Sequence, residues 1–388
     1  MENKNNACVL FLLGCCVYEL LSALSDKGSV FQSVIIGGLV AYSLYSFVIC
    51  HLRYKLPKPM NYLSLLFFIS CLYGILLLLS SDRFYIREGF HILQPNDSYI
   101  KGLLISITPL FSFYKFSKER ELNLKKIRIT ILILVFITIL SYYKNYFALF
   151  QEFNSIFTNN IAYSFVLLMP FAFFISEKRY AKYLFLFFCY GFVLFGAKRG
   201  AIIIGFICIL YCLWNDFNNV SVLKKTVVLA LSLIAFTSFL YAFSLYMEDA
   251  WEHMLTRMEY LQEGDVGHRE LLFNKFWYNF IYRSDIAEQL LGHGANATLK
   301  IYDNFAHNDW LELLTNQGIF SVLFYGMYFV SFFKMARINH FENDTLRVAF
   351  MIIFIILFVR TWFSMSLSTI TIPLNLMLGY LYAGSNSK

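Results

Sequence analysis

The residues of this chain best suited to chemistry are a histidine and a few basic side chains set between long apolar runs. His307 falls in the stretch 303–318, Asp-Asn-Phe-Ala-His-Asn-Asp-Trp-Leu-Glu-Leu-Leu-Thr-Asn-Gln-Gly, which closes the longest polar segment and leads straight into an apolar run. An unperturbed imidazole titrates close to neutral pH, so a histidine at the lip of a helix bundle can carry a proton; it serves equally as a structural hydrogen-bonder. Arginine stays charged and grips oxyanions in bidentate fashion. Arg269 follows Gly267-His268 and heads the pattern Leu272, Phe273, Phe276, Trp277, Phe280 and Ile281. That three- and four-residue spacing predicts a helix with Arg269 in its first turn, where backbone N–H groups already favour an anion. A surface arginine paired with a neighbouring carboxylate has the same pattern.

Several other chemistries lack their motifs. There is no His-Glu-x-x-His or Cys/His cluster for zinc, no Asp-x-Asp-like pair in an outer loop for a metal-dependent sugar transferase, and no Walker loop or Gly-x-Ser-x-Gly elbow. His293 and His307 are fourteen residues apart with Asp303 and Asp309 nearby, a spacing that makes a metal site only by chance of folding. All eight cysteines lie in or beside apolar runs, where they read as small hydrophobes. Metal-free acid–base chemistry remains, with no cofactor expected.

The elements that must position these residues are membrane helices. With 59% of 388 residues hydrophobic and only 15% charged, the chain is too apolar for a water-soluble domain of its size. An all-α polytopic membrane protein is expected, with spans near 7–24, 30–50, 61–81, 99–114, 129–143, 156–175, 181–197, 200–214, 226–246, 316–333, 346–363 and 366–383. The first run, with only Lys4 before it and no small-residue cleavage site after it, reads as a retained helix. Lys and Arg concentrate in alternate loops, at Arg53, Lys55 and Lys58, at 115–128, at Lys178, Arg179 and Lys182, at Lys224 and Lys225, and at Lys334, Arg337 and Arg347. By the positive-inside rule both termini are cytoplasmic. The net charge of +7 is thus a topology signal, and no nucleic-acid partner is expected. Lys198 and Arg199, in Phe-Gly-Ala-Lys-Arg-Gly-Ala, break the alternation by falling outside, which suggests an anionic partner there; a misplaced span boundary would also account for them.

The expected organisation is nine spans over 1–246, one large extracytoplasmic helical loop over 247–312 between spans nine and ten, and three spans over 313–388. The loop carries twelve acidic residues against five basic ones, a net of −7, so its few arginines stand out. Trp251, Met254, Leu255, Met258 and Leu261 form an amphipathic helical pattern. Leu291-Gly292-His293-Gly294 reads as a turn. Asp303 or Asn304 is the expected N-cap of a helix with Trp310, Leu311, Leu313 and Leu314 on one face, which puts His307 in its first turn and Asn308 beside it. Gly318 is expected to break that helix before the tenth span. Arg360, near the outer end of the eleventh span, needs a partner, and Glu19 or a carbonyl is the expected one.

In order and spacing these residues resemble the bacterial O-antigen polymerase (Wzy-type) and O-antigen ligase superfamily. Its signature of His-Asn, nine residues, Gly, two residues and usually Gly, Thr or Tyr is met by His307, Asn308 and Gly318, with Ser321 departing at the last position. Its Ser-Arg-Gly-like element is matched by Lys198-Arg199-Gly200, its arginine leading an aromatic helix by Arg269, and its Gly-x-Gly turn by Gly292-His293-Gly294. The motif-bearing likeness spans about 160–335; the N-terminal third matches only as membrane helices.

The resemblance implies a lipid-dependent sugar transferase at the outer face of the bacterial inner membrane. It would use undecaprenyl-diphosphate-linked glycans as donor and acceptor within the lipid bilayer, and it allows for a chain-length regulator protein as a further partner. Such transfer needs a cationic grip on the departing diphosphate and a base for the acceptor hydroxyl. Arg199, Arg269 and Arg257 are implied for the first role and His307 for the second, supported by Lys198, Asn308, Gly318, His293 and Arg360. The acidic-aromatic run after His307 favours the polymerase over the ligase. A polysaccharide flippase or other transporter would show two similar halves with matched Gly/Pro breaks; Pro109, Pro170 and Pro373 have no such partners.

Overall fold

A computed structural model of the chain describes residues 2–24, 30–80, 84–88, 90–153, 159–176, 178–217, 237, 241, 268–302, 304–337, 344–362, 367 and 370–385. The expected span at 226–246, apart from Thr237 and Tyr241, and the amphipathic pattern at 251–261 lie outside the described residues.

Three long helices open the chain, α1 (Glu2–Leu24), α2 (Val30–Arg53) and α3 (Lys58–Leu79). A two-stranded antiparallel hairpin follows, β1 (Phe84–Glu88) and β2 (Phe90–Gln94), the one departure from helix among the described residues. Next come α4 (Asp97–Ile107), α5 (Pro109–Lys118) and α6 (Leu124–Phe153). The third group is α7 (Ala162–Leu168), a 3-10 turn at Met169–Phe171, α8 (Ala172–Ile175), α9 (Arg179–Phe195) and α10 (Arg199–Phe217). Short helices α11 (His268–Tyr278), α12 (Ile286–Leu291) and α13 (Ala297–Tyr302) lead into α14 (Asp309–Arg337), α15 (Asp344–Arg360) and α16 (Ile372–Gly384).

Among the described residues, helix lies in every expected span; of 226–246 only Thr237 and Tyr241 are described, and both are helical. Proline shapes several of them, because it cannot donate the N–H that a continuing helix needs. Pro109 divides the 99–114 stretch into α4 and α5, and Pro170 sits in the 3-10 turn that divides α7 from α8. Among the described residues, five helices, Asn6–Leu24, Val30–Arg53, Lys58–Leu79, Arg199–Asp216 and Asp309–Arg337, are long and apolar enough to cross a membrane. Their outward faces carry bare Leu10, Leu52, Leu76 and Trp214. An all-helical bundle with such an exterior is compatible with a multi-pass membrane protein.

Inside, helices meet closely. A Cβ on Gly379 of α16 would lie 2.6 Å from Phe113 Cβ and 2.8 Å from Tyr114 N, so glycine permits α5 and α16 to touch backbone to side chain. Aromatic rings fill the centre, with Phe332 and Phe350 centroids 4.4 Å apart and Tyr382 packed 5.3 Å from Phe350.

The two ends of the bundle differ. At one, side-chain bonds tie the basic turns to one another: Lys115 Nζ lies 3.0 Å from Glu119, Tyr54 donates to Glu119 at 3.1 Å, Arg128 Nε donates to Phe174 O at 2.5 Å, and Tyr183 donates to Asp216 at 3.1 Å. The other end gathers the C-termini of α3, α9 and α15, the N-termini of α4, α7, α10 and α14, and the short helices α12 and α13.

Candidate functional site

His307 immediately precedes α14 instead of lying in its first turn. Asn308, and neither Asp303 nor Asn304, is the N-cap: its Oδ1 accepts from the backbone N–H of Trp310 at 2.9 Å and of Leu311 at 3.2 Å, and its carbonyl accepts from Glu312 N at 2.9 Å. Asp309 N, also in the first turn, is satisfied from outside by Thr361 O at 2.9 Å. That tie to the end of α15 fixes where α14 begins, and the chain enters it with His307 at φ 50°. A left-handed conformation costs a side-chain-bearing residue about 1–2 kcal/mol, so the surroundings impose it on this partly buried histidine.

The imposing contacts flank it. Ala306 N donates to Glu312 Oε2 at 2.9 Å, while Thr298 Oγ1 and Asn316 Nδ2 donate to Glu312 Oε1 at 2.7 and 3.1 Å. Glu312 is therefore a buried acceptor for three donors from three segments. Asp309 Oδ2 accepts from the Tyr325 hydroxyl at 2.7 Å and from Leu367 N at 3.2 Å, and Trp310 Nε1 donates to Thr361 Oγ1 at 2.9 Å. The expected buried face of this helix was Trp310, Leu311, Leu313 and Leu314. The polar residues Asp309, Glu312, Thr315, Asn316 and Gln317 are buried too, because α3, α12 and α15 surround that segment.

Arg360 is 6% exposed and is attracted by Asp309, and its guanidinium lies over the Tyr163 ring, 5.4 Å from the centroid. The expected partner Glu19 lies elsewhere, beside a small separate cavity with Thr138 and Ser164. Tyr163 leads on to the basic turn. Its neighbour Ala162 packs so tightly on Gly196 that a Cβ there would lie 2.6 Å from Ala162 Cβ, and Asn159 N donates to Gly196 O at 2.9 Å. Partly buried Lys198 and Arg199 follow directly, with Arg199 opening α10. Contacts thus run from Arg360 through Tyr163 and its neighbour Ala162 to the Gly196 turn that precedes Lys198 and Arg199.

Arg269 lies in the first turn of α11, as its spacing predicts. Leu272 and Phe276 of that helix pack with Ala306 and Leu311, on either side of His307, so the helix bearing Arg269 is docked on the histidine's loop. Arg257 lies outside the described residues.

The turn at 291–294 locks against the break in α14. Gly318 has φ 73° and ψ −171°, and a Cβ there would lie 2.3 Å from Leu290 O. Gly292 has φ 79°, and its Cβ would lie 2.3 Å from Gln317 N. Two backbones cross in contact, and the carbonyls released by the break are recaptured, with His293 N donating to Thr315 O at 2.9 Å and Gly294 N to Asn316 O at 3.0 Å. The His293 ring serves this lock, with Nε2 2.8 Å from Ser284 Oγ and Nδ1 3.4 Å from Glu288 Oε1.

A cavity of about 190 Å³ opens beside this segment. Asp309, Glu312, Leu313 and Asn316 of α14 form one wall, and Ser98, Tyr99, Gly102 and Leu103 of α4 face them. Asn296, Phe305 and Leu367 complete it. Sequence reading missed Glu312, Asn316, Asn296, Tyr99 and Tyr163 as site residues. Spacings of three and four put Asp309, Glu312 and Asn316 on one helix face, which was a usable signal. Nothing local marked Asn296, nor Tyr99 or Tyr163, whose partners Gln317 and Arg360 are remote in sequence.

No protein-family model and no curated protein matches this chain.

Proposed function

We propose that this protein is an O-antigen polymerase, joining undecaprenyl-diphosphate-linked oligosaccharide repeat units at the periplasmic face of the bacterial inner membrane. The observation that carries the reading is the gathering at one end of the bundle of motif residues scattered over a hundred positions: the Lys198-Arg199 turn, the helix headed by Arg269, the His307-Asn308 entry and the Gly292/Gly318 lock. Twelve spans, cytoplasmic termini and a periplasmic 247–312 loop put that end outside.

In this reading the oxygen of an acceptor sugar hydroxyl forms the new bond to the donor's anomeric carbon. The bond from that carbon to the diphosphate oxygen breaks, its electron pair leaves with undecaprenyl diphosphate, and the hydroxyl proton passes to His307. Arg199 and Arg269, with Arg257, would bear on the charge that develops on the diphosphate. The strained backbone at His307 fits a side chain held for a task. Asn308 and Gly318 shape its loop, His293 serves the lock, and Arg360 offsets the buried Asp309. No step calls for a metal or nucleotide.

The lipopolysaccharide banding of a deletion strain tests the reading. Core carrying a single repeat is the expected pattern; bare core with accumulating lipid-linked polymer would mean a ligase, and single units stranded in the cytoplasmic leaflet a flippase. Replacing His307 or Arg199 with alanine is expected to abolish long chains while the protein still reaches the membrane. Normal ladders from His307→Ala would remove the histidine from the mechanism.

A further inference from the structure

Resting on that reading, we infer that the cavity between α4 and α14 is the binding site for the terminal sugar of the acceptor glycan, a neutral pyranose ring. Its size excludes a simple structural water: about 190 Å³ corresponds to roughly six waters at about 30 Å³ each. Its wall has two characters. Phe305, Leu103 and Leu313 are apolar, while Glu312, Asn296 and Asn316 are polar. A pyranose, with C–H faces and a hydroxyl edge, matches that division.

Charge then selects among the ligands a glycan transferase handles. The two ionisable carboxyl groups on the wall, Asp309 and Glu312, are both acids, and the cavity's lining includes no lysine or arginine. A diphosphate finds no lysine or arginine on this wall, so the donor's phosphate end belongs with the basic residues and the uncharged acceptor sugar with the acids. Glu312 already accepts three hydrogen bonds of the roughly four a carboxylate can take, which leaves about one position for a sugar hydroxyl.

Asn296 supplies the independent observation. It is 2% exposed, forms part of the wall, and adopts φ 60°. Its Nδ2 is buried with no hydrogen-bond partner. An orphaned buried amide calls for an explanation, and a ring or hydroxyl oxygen in the adjoining space provides one. Position completes the case: Ala306 N bonds to Glu312 on the cavity wall, so the cavity adjoins the backbone segment that carries His307.

The test uses the purified full chain in lipid nanodiscs, with methyl glycosides of glucose, galactose, mannose and N-acetylglucosamine as probes and saturation-transfer NMR as readout. A Cβ on Gly102 meets nothing within 4 Å, so Gly102→Leu extends into open space; Asn296→Gly keeps the left-handed backbone while removing the amide. At least one glycoside is expected to bind wild type, with affinity falling about tenfold or more in each variant. Thermal melting and inorganic pyrophosphate binding are expected to stay unchanged. Absence of glycoside binding to wild type, or equal binding by both variants, would overturn the cavity assignment. Ladder analysis of the deletion strain separates the two ideas. Lost ladders with unaltered glycoside binding in the variants sink the cavity and spare the polymerase, whereas normal ladders sink the polymerase and with it the acceptor role.

Discussion

The two ends of the bundle handle charge in opposite ways. At the basic end, ion pairs form within one helical turn, buried for Lys115 with Glu119 and exposed for Arg347 with Asp344. At the other end Asp309, Glu312 and Arg360 are 3%, 8% and 6% exposed, and Asp309 and Glu312 draw donors from several segments, as far away as Leu367. Rim pairs contribute about 0–1 kcal/mol each, while stripping the partner from a buried charge costs about 3–5 kcal/mol. Exposed pairs of the first end, such as Arg347 with Asp344, can therefore change sequence at little cost. The second is a built structure in which the shape of the His307 loop depends on every donor around Glu312.

The contrast can be broken or sharpened by substitution, with melting in detergent as the common measure. Gly318→Ala carries the largest expected effect, no folded protein, because its Cβ would meet Leu290 O at 2.3 Å in a backbone conformation alanine resists. Glu312→Gln comes next. An amide in place of one carboxylate oxygen turns a donor toward donors, and about 2–3 kcal/mol should be lost together with chain synthesis. Tyr325→Phe removes the hydroxyl donated to Asp309 and should cost about 1.5–2 kcal/mol. At the basic end, Tyr54→Phe removes the bond to Glu119 and should cost less than about 1 kcal/mol; a loss equal to that of Tyr325→Phe would erase the distinction between the ends. His307→Gly should have the smallest effect on melting, since glycine accepts φ 50° without strain, and yet abolish long chains. A variant that melts early would mark the imidazole as structural.

How much of this was legible depends on the range of the interactions. Helices were readable because each apolar run is self-contained, and the Gly318 break was readable because glycine marks a left-handed residue. The cap was not. Asp303, Asn304 and Asn308 are equally good capping side chains, and the choice fell to Asn308 through the bond from Asp309 N to Thr361 O, fifty-two residues away. The polar core was hidden for the same reason, since Gln317 finds Ser70 and Tyr99 across more than two hundred residues. Asp309 and Glu312 counted in sequence as members of an acidic segment and of the acidic-aromatic run after His307, and burial distinguishes them from Glu288, whose side chain is 43% exposed.

The backbone crossing at Gly292 and Gly318 also bears on how the chain is made. Residues 290–294 leave the ribosome before 315–318, so the turn exists before the helix it must receive. Thr315 and Asn316 would enter an apolar phase with bare carbonyls unless His293 N and Gly294 N were already waiting. On the proposed membrane topology, insertion of α14 is then paced by the segment ahead of it, and a synthesis pause placed after 318 should raise the yield of correctly inserted protein more than one placed before 290.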